Sequence, residues 1–172
     1  GSLSETPDAE LVGEALKDIT VDINVTQYDQ SNISIFTPKN KDEIKNYGNK
    51  VAEIYKNEAA KLVNRKDFPS NEEAINFYEQ IAKQMLSVPV PVELAQPHLD
   101  LINNFSASYS VLKEINNYQK DPAKGVLSIK TFEELESGRG DITTKIVNYF
   151  KINGIIFENN EAGKIWYETA TI

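Results

Sequence analysis

Apolar residues recur at spacings of three and four along four separate stretches of this chain, and that periodicity restricts its fold more than any other feature. Ile44, Tyr47, Val51, Ile54, Tyr55 and Leu62, with Glu58 on the same face, predict an amphipathic helix from Lys41 to about Asn64. Ala74, Tyr78, Ile81, Met85 and Val88 mark a second helix, opened by Ser70 with Glu73 three residues on, a hydroxyl and a carboxylate that cap each other's backbone. Leu94, His98, Leu101, Phe105, Ser108, Leu112 and Ile115 place a third from near Val92 to Tyr118, with Pro97 early enough that its missing amide costs little. The fourth starts at Asp121-Pro122 and carries Val126, Ile129, Phe132 and Leu135, then Ile142, Ile146, Tyr149 and Phe150. Gly138 and Gly140 interrupt it, so one kinked helix or two both fit. With short connectors, these stripes can be buried only against one another, which predicts an up-and-down bundle of about four long helices.

Between the second and third helices, Val88-Pro89-Val90-Pro91-Val92 forces extended backbone, because alternate prolines remove donors and push their predecessors out of the helical region. Ser106, Ala107, Ser108 and Ser110 let a neighbouring helix come close. Both ends depart from the helical period. A short helix is predicted around Ala9–Leu16, and the alternation of Ile19–Thr26 and of Asn32–Phe36 fits either a hairpin or an extended arm lying on the helices. Asn153-Gly154 supplies a left-handed stop, after which Ile155–Glu158 and Lys164–Tyr167 fit a terminal hairpin or arm. The class is therefore mainly α, with extended or β-hairpin segments at the two ends. The chain divides into Gly1-Ser2, the scar of a cleaved tag; a linker, short helix and arm over 3–40; and a bundle domain with an extended tail over 41–172.

Composition removes whole classes of function. A formal charge of −8 repels a phosphate backbone, so nucleic acid is not an expected partner. The chain has no cysteine and one histidine, which excludes thiol nucleophiles, iron–sulfur clusters and cysteine-based zinc sites. His98 has no glutamate three residues before it, so the Glu-x-x-His pairs of di-iron bundles are missing, and it reads as a helix-face residue half buried in the bundle. Glu72-Glu73 and Glu133-Glu134 with Glu136 fall mostly opposite the apolar stripes, as solvated faces do. The sequence carries no phosphate-binding glycine loop, serine elbow or His-Glu-x-x-His run. Arg139-Gly140-Asp141 matches a triplet that cell-surface receptors read on exposed loops, but a triplet arises easily by chance; Asn24, Asn32 and Asn104 open glycosylation triplets, which an Asn-rich chain generates freely. Trp166 and Tyr167 close the end of a bundle or anchor a partner. No catalytic, cofactor-binding or metal-ligating residue is expected, and the chain reads as a non-enzyme.

Sixteen lysines against two arginines, with abundant Asn and Ile, point to an AT-rich bacterial genome. Ser87–Ala95 followed by His98–Asn103, together with Ile146–Phe150 and Gly154-Ile155, resembles a family of small helical proteins with an N-terminal membrane anchor from bacteria with reduced genomes. The resemblance spans roughly 41–157 and is most specific at the Val-Pro-Val-Pro linker; it implies a location and no activity. The expectation is an extracytoplasmic bundle, tethered through Leu3–Asp8 to an anchor upstream, serving as an interaction or scaffolding module for another envelope protein. The rival is a ligand-binding sensor bundle for a small molecule or peptide, which needs an apolar pocket between helices.

Overall fold

A computed structural model describes residues 23–63, 71–117 and 122–168. Four long helices account for most of them: α1 (Lys41–Val63), α2 (Asn71–Met85), α3 (Ala95–Asn116) and α4 (Pro122–Ile152). Cross-helix contacts give their directions. Asn71 meets Asn116 and Met85 meets His98, so α2 and α3 run antiparallel; Glu114 meets Lys124 and Asn104 meets Leu135, so α3 and α4 do too. Tyr47 near the start of α1 packs on Phe150 near the end of α4. The result is the up-and-down bundle that the stripes require.

Local chemistry fixes the helix ends. Asn40 Oδ1 accepts the Glu43 amide while Glu43 Oε2 accepts that of Lys39, a reciprocal cap that also puts acids in the first turn of α1. Pro122 occupies the first position of α4, where no amide is needed. At the other end Gly154 adopts φ 63°, Ile155 N–H donates to Phe150 O and Gly154 N–H to Lys151 O, the pair of bonds that closes a helix through a left-handed residue. The Ser70 cap and the short helix predicted at Ala9–Leu16 lie outside the described residues.

The structure corrects the sequence reading in three places. The α4 helix is continuous through Gly138 and Gly140, and its inward face over the first turns is Gly125 and Ser128, while Val126 and Ile129 are 44% and 45% exposed. Small residues face inward here because α3 and α4 form the most extensive helix pair, and hydropathy does not register burial of Gly or Ser. Ser128 Oγ finds no hydrogen-bond partner in that contact. Secondly, of the two readings of the N-terminal segment the described residues show the extended arm and no hairpin joins 23–26 to 32–36, residues 19–22 lying outside the described residues. Ile35–Phe36 (β1) instead pairs in parallel with Val90–Pro91 (β2), inside the segment read as a plain connector. Pro91 is tolerated because the pairing is two residues long and lies at an edge. The arm upstream lies on α3, with Ser106 Oγ donating to Thr26 O and Asn103 exchanging two bonds with the Tyr28 backbone. Thirdly, the tail forms no hairpin: after an extended 155–157 it makes a 3₁₀ turn at Ala162–Lys164 and a helical turn, α5 (Ile165–Glu168).

That tail closes the bundle between α1 and α4. Trp166 Nε1 donates to Gly48 O at 2.9 Å, Gly163 N–H to Asn49 Oδ1 at 2.7 Å and Tyr167 Oη to Ile155 O at 2.6 Å, while Lys45 pairs with Glu161 at 2.8 Å. Phe157, Phe150 and Trp166 meet edge to face around Gly48. A Cβ on Gly48 would stand 2.6 Å from Phe157 Cζ and 3.0 Å from Phe150 Cζ. Helix propensity alone favours Gly48→Ala by about 1 kcal/mol, yet both rings are buried and have nowhere to go, and overpacking costs about 1–3 kcal/mol. Gly48→Ala is therefore expected to destabilise. A raised urea midpoint would refute the close packing.

Candidate functional site

Two buried polar centres sit inside the bundle. The first joins α1, α2 and α3. His98 is 0% exposed, not half buried as the sequence suggested, enclosed between Tyr47 of α1 and the Met85 carbonyl at the end of α2. The Tyr47 hydroxyl lies 3.0 Å from its Nδ1 and Met85 O lies 3.0 Å from its Nε2. Met85 O can only accept, so Nε2 carries the proton and Nδ1 accepts from Tyr47. Burial pushes His98 down to about 4, against the opposing pull of the Met85 carbonyl, and raises Tyr47 far above the usual phenol range. Each group satisfies the other, so the pair is a structural pin.

The second centre is built on Arg139, 8% exposed at the middle of α4. Its Nε donates to Asn104 Oδ1 and its Nη2 to Ser108 Oγ, both at 2.8 Å, and Nη1 pairs with Glu136 at 2.6 Å. The guanidinium stands over the Phe105 ring at 4.5 Å and the Tyr78 ring at 5.1 Å. Tyr78 Oη also donates to Glu136, and Asn104 Nδ2 donates to Leu135 O, so no member stands alone. Burial raises the Tyr78 phenol, with Arg139 pulling it back.

Beside this centre is a cavity of about 60 Å³, walled by Val51, Ala52 and Tyr55 of α1, Ile81 and Met85 of α2, Leu101 and Phe105 of α3, Arg139 and Thr143 of α4, and Ile165 and Trp166 of α5. Its surface is almost wholly apolar. An arginine lining an apolar cavity offers a cation that is already desolvated and held in place.

No protein family, curated protein or solved structure matches this chain. The site must therefore be read from its own geometry.

The features singled out from the sequence scatter. Arg139-Gly140-Asp141 lies within α4 with its arginine buried, the reverse of an exposed loop. Asn104 is buried and committed to Arg139 and Leu135. Glu133 and Glu134 are exposed as expected, whereas Glu136 is drawn into the arginine centre. Among the described residues no group of three or more His, Asp or Glu side chains is placed to hold a metal. Trp166 and Tyr167 close the bundle end. Sequence reasoning passed over Arg139. The signal was present: Leu135, Arg139, Ile142 and Ile146 are spaced by four, three and four, which puts one of the chain's two arginines on the inward stripe.

Proposed function

We propose that this chain is a non-enzymatic binding module held outside the cytoplasmic membrane of a bacterium, where it docks or scaffolds a protein neighbour in the cell envelope. The observation that supports docking is the end of the bundle at which α2 and α4 finish and α3 begins. Ile152 and Ile156 are 85% and 69% exposed there, and the bond from Tyr149 Oη to Glu93 at 3.2 Å brings half-exposed Val92 to the same end. Single exposed apolar residues are ordinary, but large ones gathered at one end suit a partner surface. The non-catalytic reading is supported by His98 and Tyr47 spending their acid–base chemistry on each other inside the core. The location is supported by the resemblance to anchored proteins and by the Ser/Thr/Pro composition of Leu3–Asp8. Among the described residues no helix is long and apolar enough to cross a membrane.

A photo-reactive amino acid at Ile152 or Ile156 of the native protein in its own cells is expected to capture one discrete envelope protein, while the same group at Val126 captures none. Fractionation is expected to place the protein with the membrane, accessible to external protease. Equal capture from both ends would remove the docking surface, and a cytosolic protein would remove the location.

A second reading, a sensor bundle for a small ligand, is favoured by the cavity beside Arg139.

A further inference from the structure

Residues of all five helices wall the cavity, its surface is almost wholly apolar and it is partly open to solvent, which narrows what it can hold; the inference rests on the sensor reading. A buried water needs two to four polar partners. The one charged residue in the wall, Arg139, is already bonded to Asn104, Ser108 and Glu136. Water is therefore held weakly there, and an apolar occupant that displaces it gives up little. Protein interiors close up to leave few spaces larger than a water, yet α1 brings the small, buried Val51 and Ala52 to this wall, where larger residues would fill it. The volume of about 60 Å³ is several times the roughly 10–15 Å³ of one water position and well under the roughly 150 Å³ of an engineered cavity that admits benzene. A six-membered ring is too large, and an alkyl group of about three or four carbons fits.

We infer that this cavity binds the alkyl end of a small uncharged molecule, its carbons lying against Ile81, Met85, Leu101 and Trp166 and any polar group staying at the open side. Removal of apolar surface from water drives the binding, each buried methylene being worth about fourfold in affinity. A hydroxyl or a charge carried inside would exchange water for apolar walls, which is costly, so the cavity selects for hydrocarbon. Ile165 and Trp166 bring α5 into the wall, so an occupant touches the closing tail and the long helices at once. Occupancy therefore bears on how firmly the tail closes the bundle, the kind of coupling a sensor uses.

The chain has one methionine and one tryptophan, Met85 and Trp166, and both line the cavity, so each is an unambiguous reporter. The test follows the Met85 methyl resonance and Trp166 fluorescence at pH 7 while xenon, 1-butanol and 1,4-butanediol are added in separate titrations. Xenon, an apolar atom without hydrogen-bonding groups, is expected to shift the Met85 methyl saturably. Butanol is expected to move both reporters, and the diol, which must take a second hydroxyl inside, to bind at least about tenfold more weakly. Ala52→Val and Val51→Ile, which each place further carbon in the cavity, are expected to weaken xenon and butanol at least about fourfold. The free variants should melt at the parent's temperature or above it, and either one that folds reports on the site. Equal affinity for butanol and diol, or a response to xenon alone, would leave a cavity and the sensor reading but end the alkyl assignment. No response to any of the three would end both. Binding untouched by both substitutions would place the apolar site elsewhere and overturn the proposal.

Discussion

Arg139→Met is expected to lower the unfolding free energy by about 3–5 kcal/mol, the range for removing one member of a buried charged network. Methionine fills much of the arginine stem's volume, so the loss is not mainly a cavity. It is the acceptors Asn104 Oδ1 and Ser108 Oγ left in the α3–α4 contact, each at about 1–3 kcal/mol, and the guanidinium lost from the faces of Phe105 and Tyr78. Glu136 contributes less, since its carboxylate is 40% exposed and finds water. Glu136→Gln should therefore cost under about 1 kcal/mol, which separates the neutral partners from the ion pair. Urea unfolding at constant m-value measures both. The triple variant Arg139→Met, Asn104→Leu, Ser108→Ala should recover most of the loss, because replacing a whole buried polar set by apolar groups is often neutral or better. A single Arg139→Met within about 1 kcal/mol of the parent would show that the network holds nothing together. Recovery in the triple variant would show that the polar set as a whole adds little to stability beyond what apolar packing supplies.

The helical part of this fold was legible because its burial is apolar and periodic. Ile44, Tyr47 and Val51 on α1, or Ile146 and Phe150 on α4, announce an inward face by hydropathy alone, and all five are buried. Legibility failed where burial is carried by residues to which a hydropathy scale assigns no inward preference. Gly125 and Ser128 take the inward side of α4 because α3 comes close, and Val126 and Ile129 are displaced to solvent. Arg139 was hidden for the same reason: its charge argues for the surface, while its spacing from Leu135 and Ile142 argues for the core, and only the partners Asn104 and Ser108, about thirty residues upstream, decide between them. The β1–β2 pairing was illegible for another reason. It joins residues far apart in sequence through two residues each, too short for a period to develop, and its register depends on where the arm crosses α3. The tail was half legible. Its extended start at Ile155–Phe157 was within the hairpin-or-arm reading, but the helical turn that carries Trp166 to Gly48 is fixed by a tertiary hydrogen bond.

Acidification is expected to remove about 3 kcal/mol of stability through His98 alone, between pH 6.5 and pH 4. The neutral ring fits its surroundings: Nε2–H donates to Met85 O and Nδ1 accepts from a Tyr47 hydroxyl whose own proton is held firmly by burial. A second proton would turn Nδ1 into a donor facing that hydroxyl. Tyr47 would have to rotate and accept, its hydrogen would lose its partner, and a cation would stand in an apolar core. The folded protein therefore resists protonation down to about 4, while the unfolded chain takes the proton near 6.5. Above pH 6.5 neither state binds it and stability is flat. Between the two values the unfolded state binds it and the native state does not, so stability falls by about 1.4 kcal/mol per pH unit as pH drops. Carboxylates such as Glu161, held low by Lys45, also lose stability on acidification, so the histidine must be isolated by difference. Urea unfolding of the parent and of His98→Gln from pH 7.5 to 4.5 does this, because every carboxylate is common to both. At pH 7.5 the variant should be less stable by about 1–3 kcal/mol, the cost of disturbing two buried hydrogen bonds. As pH falls the gap should shrink by about 2–3 kcal/mol by pH 4.5, since glutamine takes no proton in either state. A gap that stays constant across that range would mean that His98 is open to protonation in the folded protein.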